Sequence, residues 1–118
     1  MVKSDPDPVA MYLRELSTIE PLSKEEETIL FQQLRGTIGA EQGETIKRRL
    51  IESQLPLVAR IAEQHGASGI PMLDLIQEGN LGLMKSIEDF AETPAADFLT
   101  FAAACIEDAI TKLYRKSK

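Results

Sequence analysis

Three features of this chain predict an all-α fold. Apolar residues recur three and four apart in several separate runs, and capping residues stand at the heads of those runs. No stretch alternates β-branched and polar residues for long enough to make a strand. Glycines and prolines cut the helical pattern into about five to six pieces, and 118 residues is the length of a single domain, 1–118. A chain of that size buries roughly two-thirds of the surface it exposes when unfolded.

The first helix is expected to start at Asp7 as N-cap with Pro8 at the first helical position, where its missing N–H costs nothing. Val9, Tyr12, Leu13 and Leu16 form its apolar stripe, and Ser17 and Pro21 bracket its exit. The next start is the clearest, because Ser23 followed three residues later by Glu26 is a capping box, set just before Ile29, Leu30 and Leu34. Gly36 and Gly39 end or loosen that helix. Gly43 precedes a third segment carrying Ile46, Leu50 and Ile51, after which Pro56 forces a boundary or a new first turn. Helical spacing resumes from Leu57 to His65, and Gly66, Gly69 and Pro71 then make a loop. Met72 to Phe90 forms one helix or a bent pair, depending on how far Gly79 and Gly82 weaken its middle. A loop through Thr93 and Pro94 leads to a last helix over about Ala96 to Arg115, burying Phe98, Phe101, Ala102, Cys105, Ile106, Ala109 and Leu113.

Composition narrows the function. A net charge of −6 argues against a protein that coats nucleic acid by itself, because that affinity comes largely from Lys and Arg neutralising phosphates. Aromatics make up 5% of the chain and tryptophan is absent, so platforms for stacking unpaired bases are scarce. The lone Cys105 allows no internal disulfide, no apolar run reaches membrane-spanning length, and Asp5 and Asp7 stand where a signal peptide would be apolar. The expected compartment is the reducing cytoplasm, with no membrane partner. Catalysis is not expected either. His65 is the only histidine, Cys105 lies in an apolar stripe, and Glu25, Glu26 and Glu27 complement a helix dipole. No phosphate loop, nucleophile motif or metal-ligand cluster is present, so neither a cofactor nor a small-molecule substrate is expected.

At about 100° per residue, Met72, Leu75, Ile76, Gly79, Leu83, Ile87 and Phe90 share one face of their helix, the core face. Asp74, Gln77, Glu78 and Lys85 lie opposite. Leu73, Leu81 and Met84 fall on or beside that polar side, where burial within one domain does not account for them. Such a patch suits a helix-binding surface, its apolar anchors supplying affinity and its carboxylates selecting a basic partner. The alternative is that a neighbouring helix of the same domain covers it.

Leu73 to Lys85 reads LDLIQEGNLGLMK, and this run resembles the signature of the primary (sigma-seventy) bacterial sigma factors. The resemblance extends upstream through Leu50, Ile51 and Glu52 with Leu55, Leu57 and Val58, through Gly69, Ile70 and Pro71, and to Asp7–Leu16 and Pro21–Glu27. It implies the polymerase-binding domain two of a sigma factor, with short helices before it at 7–35, docking helices at 44–90 and a DNA-facing helix at 96–116. In that family the helix docks on the coiled-coil clamp helices of the largest subunit of core RNA polymerase. Carried over residue by residue, Leu73, Asp74, Gln77, Glu78, Asn80 and Met84 would be docking contacts, with Leu81 added by the exposed patch.

The likeness weakens after Phe90. The family's paired tryptophans are replaced by Ala104 and Cys105, the Arg and Gln that face duplex DNA by Glu107 and Asp108, and the basic loop residues by Thr93, Pro94 and Asp97. From Ser86 to Thr111 there is no Lys or Arg. Contact with promoter DNA is therefore expected only within a polymerase complex and in weakened form, through Thr100, Lys112 and Arg115 at most, although a basic end of Lys112, Arg115, Lys116 and Lys118 is ordinary for a helix C-terminus. Two readings follow: a sigma-like initiation protein with promoter opening weakened or lost, or an adaptor or competitor that occupies polymerase without touching DNA. A piece of a longer sigma factor would present the same residues.

Overall fold

A computed structural model describes residues 7–36, 39–92 and 97–115. Among these, five α-helices and one 3₁₀ turn account for the regular structure: α1 (Pro8–Leu16), α2 (Lys24–Arg35), α3 (Ala40–Gln64), the turn Gly66–Ser68, α4 (Met72–Glu92) and α5 (Phe98–Arg115). The expected loop residues Thr93 and Pro94, the helix start Ala96, and the terminal Lys116 and Lys118 lie outside the described residues.

Local chemistry sets the first two helix starts. The Asp7 carboxylate accepts from the Val9 N–H at 3.0 Å, and the chain enters α1 through Pro8. At α2 the capping box closes in both directions, Ser23 N–H to the Glu26 carboxylate at 2.8 Å and Glu26 N–H to the Ser23 hydroxyl at 3.1 Å. Phe31 is buried, whereas Ile29 faces solvent and Leu30 and Leu34 are half-buried.

Helix α3 departs most from the sequence pattern. It begins at Ala40, with Gly39 as its N-cap and Gly43 inside its first turn, and it runs unbroken through Pro56. Proline within a helix removes one backbone hydrogen bond and costs about 3 kcal/mol. Packing on both sides of Pro56 opposes that cost, because Leu50 and Ser53 before it and Val58, Ile61 and Ala62 after it are all buried. Past His65 the chain turns at Gly69, whose φ of 87° is left-handed and favours glycine. The Pro71 carbonyl then accepts from Asp74 N–H and Leu75 N–H to open α4.

Helix α4 is a single element, and its glycines are sites of contact. A Cβ on Gly79 would lie 2.7 Å from a Val58 methyl of α3, and one on Gly82 would lie 2.8 Å from the Cys105 carbonyl oxygen of α5. Gly82 and Ser86 therefore join the buried face, while Met72 is half-buried. In α5 the fully buried residues are Phe98, Ala102, Ile106 and Ile110; Phe101, Cys105, Ala109 and Leu113 are half-buried along the edges of that stripe.

The helices converge on aromatic packing at one end. The rings of Phe31, Phe90 and Phe98 meet at centroid distances of 4.9, 4.8 and 5.2 Å, joining α2, α4 and α5. Arg35 lies across this cluster and donates to the carbonyls of Ala91 at 3.0 Å and Phe90 at 3.4 Å, groups that the end of α4 leaves without helical partners.

Candidate docking surface

With α3 and α5 packed against one side of α4, the opposite side faces solvent. Leu73, Leu81 and Met84 are 43%, 54% and 44% exposed, so no element among the described residues covers them. Asp74, Gln77 and Lys85 are exposed beside them and Glu78 is half-buried. Advancing about 100° per residue, Leu73, Met84, Gln77, Glu88 and Leu81 form a strip roughly 80° wide, with Asp74 and Lys85 along its α5 edge. Asn80 is less available than the other six candidate contacts. It sits on the α3 side, half-buried, with its Oδ1 covered and without a hydrogen-bond partner among the described residues.

Two shallow grooves flank the strip. The α3 groove is lined by Glu44, Lys47, Arg48, Ile51, Met84, Ile87 and Glu88. The α5 groove includes Leu81, Lys85, Cys105, Asp108 and Lys112. Burial pushes the Cys105 thiol above its ordinary value, with Asp89 and Asp108 adding to the effect, which disfavours the thiolate. Among the described residues no cluster of three or more His, Cys, Asp or Glu side chains could hold a metal, and no helix is long and apolar enough to cross a membrane.

The polar residues of α5 are held by contacts inside the chain. Asp97 stands just before the helix and accepts from the Thr100 N–H at 3.1 Å and the Thr100 hydroxyl at 2.6 Å, while Lys24 of α2 lies 3.3 Å from its other oxygen. The Thr100 hydroxyl proton is therefore engaged within the chain. Glu107 pairs with His65 Nε2 at 2.7 Å, and the other ring nitrogen meets the Tyr114 hydroxyl at 2.7 Å, so the end of α3 is tied to α5. Lys112 pairs with Asp108 at 3.1 Å, and Arg115 is exposed at the C-terminal end of the helix. The spacing Asp97-x-x-Thr100 is a local cap signal, yet the sequence pattern places the helix start at Ala96; the His65 cluster, which joins residues more than 40 positions apart, has no local signature.

The bonds from Thr100 and the nearby Lys24 hold the Asp97 carboxyl below its ordinary value near 3.8. A depressed carboxylate contributes stability above its unfolded pKa and loses it as pH falls through the folded one. Asp97→Asn keeps an acceptor for Thr100 and removes only the charge. The variant is expected to melt below the wild type at pH 7, and the gap is expected to close as pH drops under 3.8 in a series of thermal melts.

Sequence comparison decides the family. The model of sigma-70 region 2 matches residues 50–118, which takes in the last part of α3, all of α4 and α5. This chain belongs to the sigma-70 region 2 family. RNA polymerase sigma factor SigA of Lactococcus lactis subsp. cremoris is 42% identical over 106 residues, covering 90% of this chain and 29% of SigA. SigA of Lactococcus lactis subsp. lactis strain IL1403 is also 42% identical over 106 residues, with 27% of its length covered. The chain thus spans less than a third of these sigma factors. Its five-helix, strandless architecture among the described residues agrees with the all-α domain that the sequence predicts.

Proposed function

We propose that this chain is a sigma-factor module that binds core RNA polymerase through the outer face of α4, on the clamp coiled coil of the largest subunit. It acts by binding rather than by catalysis, in the cytoplasm, without cofactor. The observation that carries this reading is the uncovered strip of Leu73, Leu81 and Met84 bordered by Asp74, Gln77 and Glu78. A partner helix burying those three side chains gains roughly 25 cal/mol for each Å² of apolar surface removed from water. The carboxylates favour a basic helix and fix its register. In this reading residues 7–35 precede the module, 44–90 carry the docking helices and 96–116 correspond to the DNA-facing helix.

Promoter opening is weakened or lost. Ala104 and Cys105 offer no ring for an unpaired base, which forgoes about 1–3 kcal/mol per stacked base. Glu107 and Asp108 bring negative charge where phosphates would lie, and both are occupied by His65 and Lys112. That occupancy favours the second reading, a competitor that holds polymerase without opening DNA.

One experiment separates the readings. Purified core polymerase is mixed with a full sigma factor and increasing amounts of this chain, and both sigma displacement and permanganate reactivity of promoter thymines are followed. Displacement with falling reactivity is expected. Persistent strand opening by the chain alone would favour initiation over competition, and absence of displacement at micromolar concentrations would refute polymerase binding.

A further inference from the structure

One edge of the exposed strip of α4 carries a pair of charges that can match in a second copy, Asp74 and Lys85, although Glu78 of the two copies approaches itself near the axis and keeps the association weak. Asp74 and Lys85 are eleven residues apart, which at 100° per residue brings them within about 20° of each other on the α5 edge of the strip. A second α4 laid antiparallel against the first, with the two-fold axis crossing midway between residues 79 and 80, sets Asp74 of each copy opposite Lys85 of the other. Such an axis keeps the same edge on the same side of both helices, so both ion pairs form together. In the same register Leu73 lies beside Met84 of the second copy, and the two Leu81 side chains meet near the axis. Both charged groups are free enough to do this. Asp74 is exposed, and the Lys85 side chain is 76% exposed, with a loose 3.7 Å contact to Asp89 one turn on.

We infer that the free chain forms a weak antiparallel dimer through this face, which conceals the docking strip until a stronger partner displaces the second copy. The strip offers three apolar side chains per copy, placing the dimer among small, transient interfaces. Self-association stands on the geometry alone, and only its effect on polymerase binding rests on the reading above.

Reciprocal charge reversal tests it. In sedimentation equilibrium across the micromolar range, the wild type is expected to show concentration-dependent dimer. Asp74→Lys and Lys85→Asp alone are each expected to weaken it roughly tenfold, by setting like charges opposite one another. An equimolar mixture of the two single variants, and the double variant D74K/K85D, are expected to recover wild-type association, because opposite charges face again in both. That recovery could not come from misfolded variants. A wild type that stays monomeric throughout, single reversals that leave the dimer intact, or a mixture that fails to recover would each overturn the inference. Polymerase binding is measured in parallel. A wild type that docks yet never dimerises removes the dimer alone, and one that dimerises yet never docks removes the docking assignment alone.

Discussion

Replacing Gly82 with alanine is expected to destabilise the fold by about 2 kcal/mol, although alanine is the better helix former. Alanine in a helix interior gains up to about 1 kcal/mol over glycine. At Gly82 the added methyl would lie 2.8 Å from the Cys105 carbonyl oxygen, 2.9 Å from Ala109 Cβ and 3.2 Å from Ile106 Cα. Two of those atoms are backbone and the third is fixed directly to it, so no rotamer change relieves the clash. Helices α4 and α5 must separate, loosening the contacts of Leu83, Ile106 and Ile110, all fully buried or nearly so. Gly79 supplies the control. Its methyl would meet Val58 Cγ1 at 2.7 Å, a shorter distance, but that atom and Ile110 Cδ1 at 3.1 Å are the ends of side chains. Val58 is β-branched and fully buried, so its methyl gives way only in part, and Gly79→Ala is expected to cost about 1 kcal/mol, less than Gly82→Ala, where backbone atoms block the methyl. Urea unfolding of both variants checks the contrast; equal losses at the two sites would show that backbone approach is not what Gly82 provides.

The same two glycines mark where sequence reading reached its limit. By propensity they weaken a helix, which left open a bend in the middle of α4; in the fold they admit the neighbouring helices, and α4 is continuous. Pro56 follows the same logic, since a local cost near 3 kcal/mol is outweighed by packing that no local pattern reveals. The boundary expected near Gly43 moved to Ala40 because Gly39 accepts the first turn through its backbone, Gly43 N–H to Gly39 carbonyl at 3.1 Å. What sequence did convey was chemistry confined to one turn, namely the Asp7 cap and the Ser23 capping box. Phe31 carries no local signal of its burial, because its position is fixed by Phe90 and Phe98, both far along the chain.

The strip on α4 was legible for a different reason. A helix 21 residues long samples every direction several times, so the excess of apolar side chains over what its neighbours can cover is visible from periodicity alone. Leu73, Leu81 and Met84 are left over by that count, and they are exposed. Asn80 could not be assigned this way, since its partial burial depends on how closely α3 approaches that edge.

Combining Gln77→Ala with Glu78→Lys, or reversing Asp74 to arginine, is expected to weaken binding to the clamp helices by several kcal/mol, a loss of at least about a hundredfold. A reversed charge facing a basic helix adds repulsion to the lost attraction, and both are stronger where the interface excludes water. The fold is expected to be indifferent. Asp74 and Gln77 are exposed, no hydrogen bond or ion pair involving the side chains of these three residues is seen among the described residues, and surface changes of this kind usually stay within about 0.5 kcal/mol. Leu81→Asp extends the test to the apolar anchor, since it places a charge in the middle of the strip while leaving every buried residue of α4 in place. Pull-down with the isolated clamp helices, alongside thermal melts of each variant, separates lost binding from lost structure. If affinity survives both the charge reversals and Leu81→Asp in proteins that melt like the wild type, the outer face of α4 is not the docking surface, and polymerase binding would have to be sought in the flanking grooves or on α5.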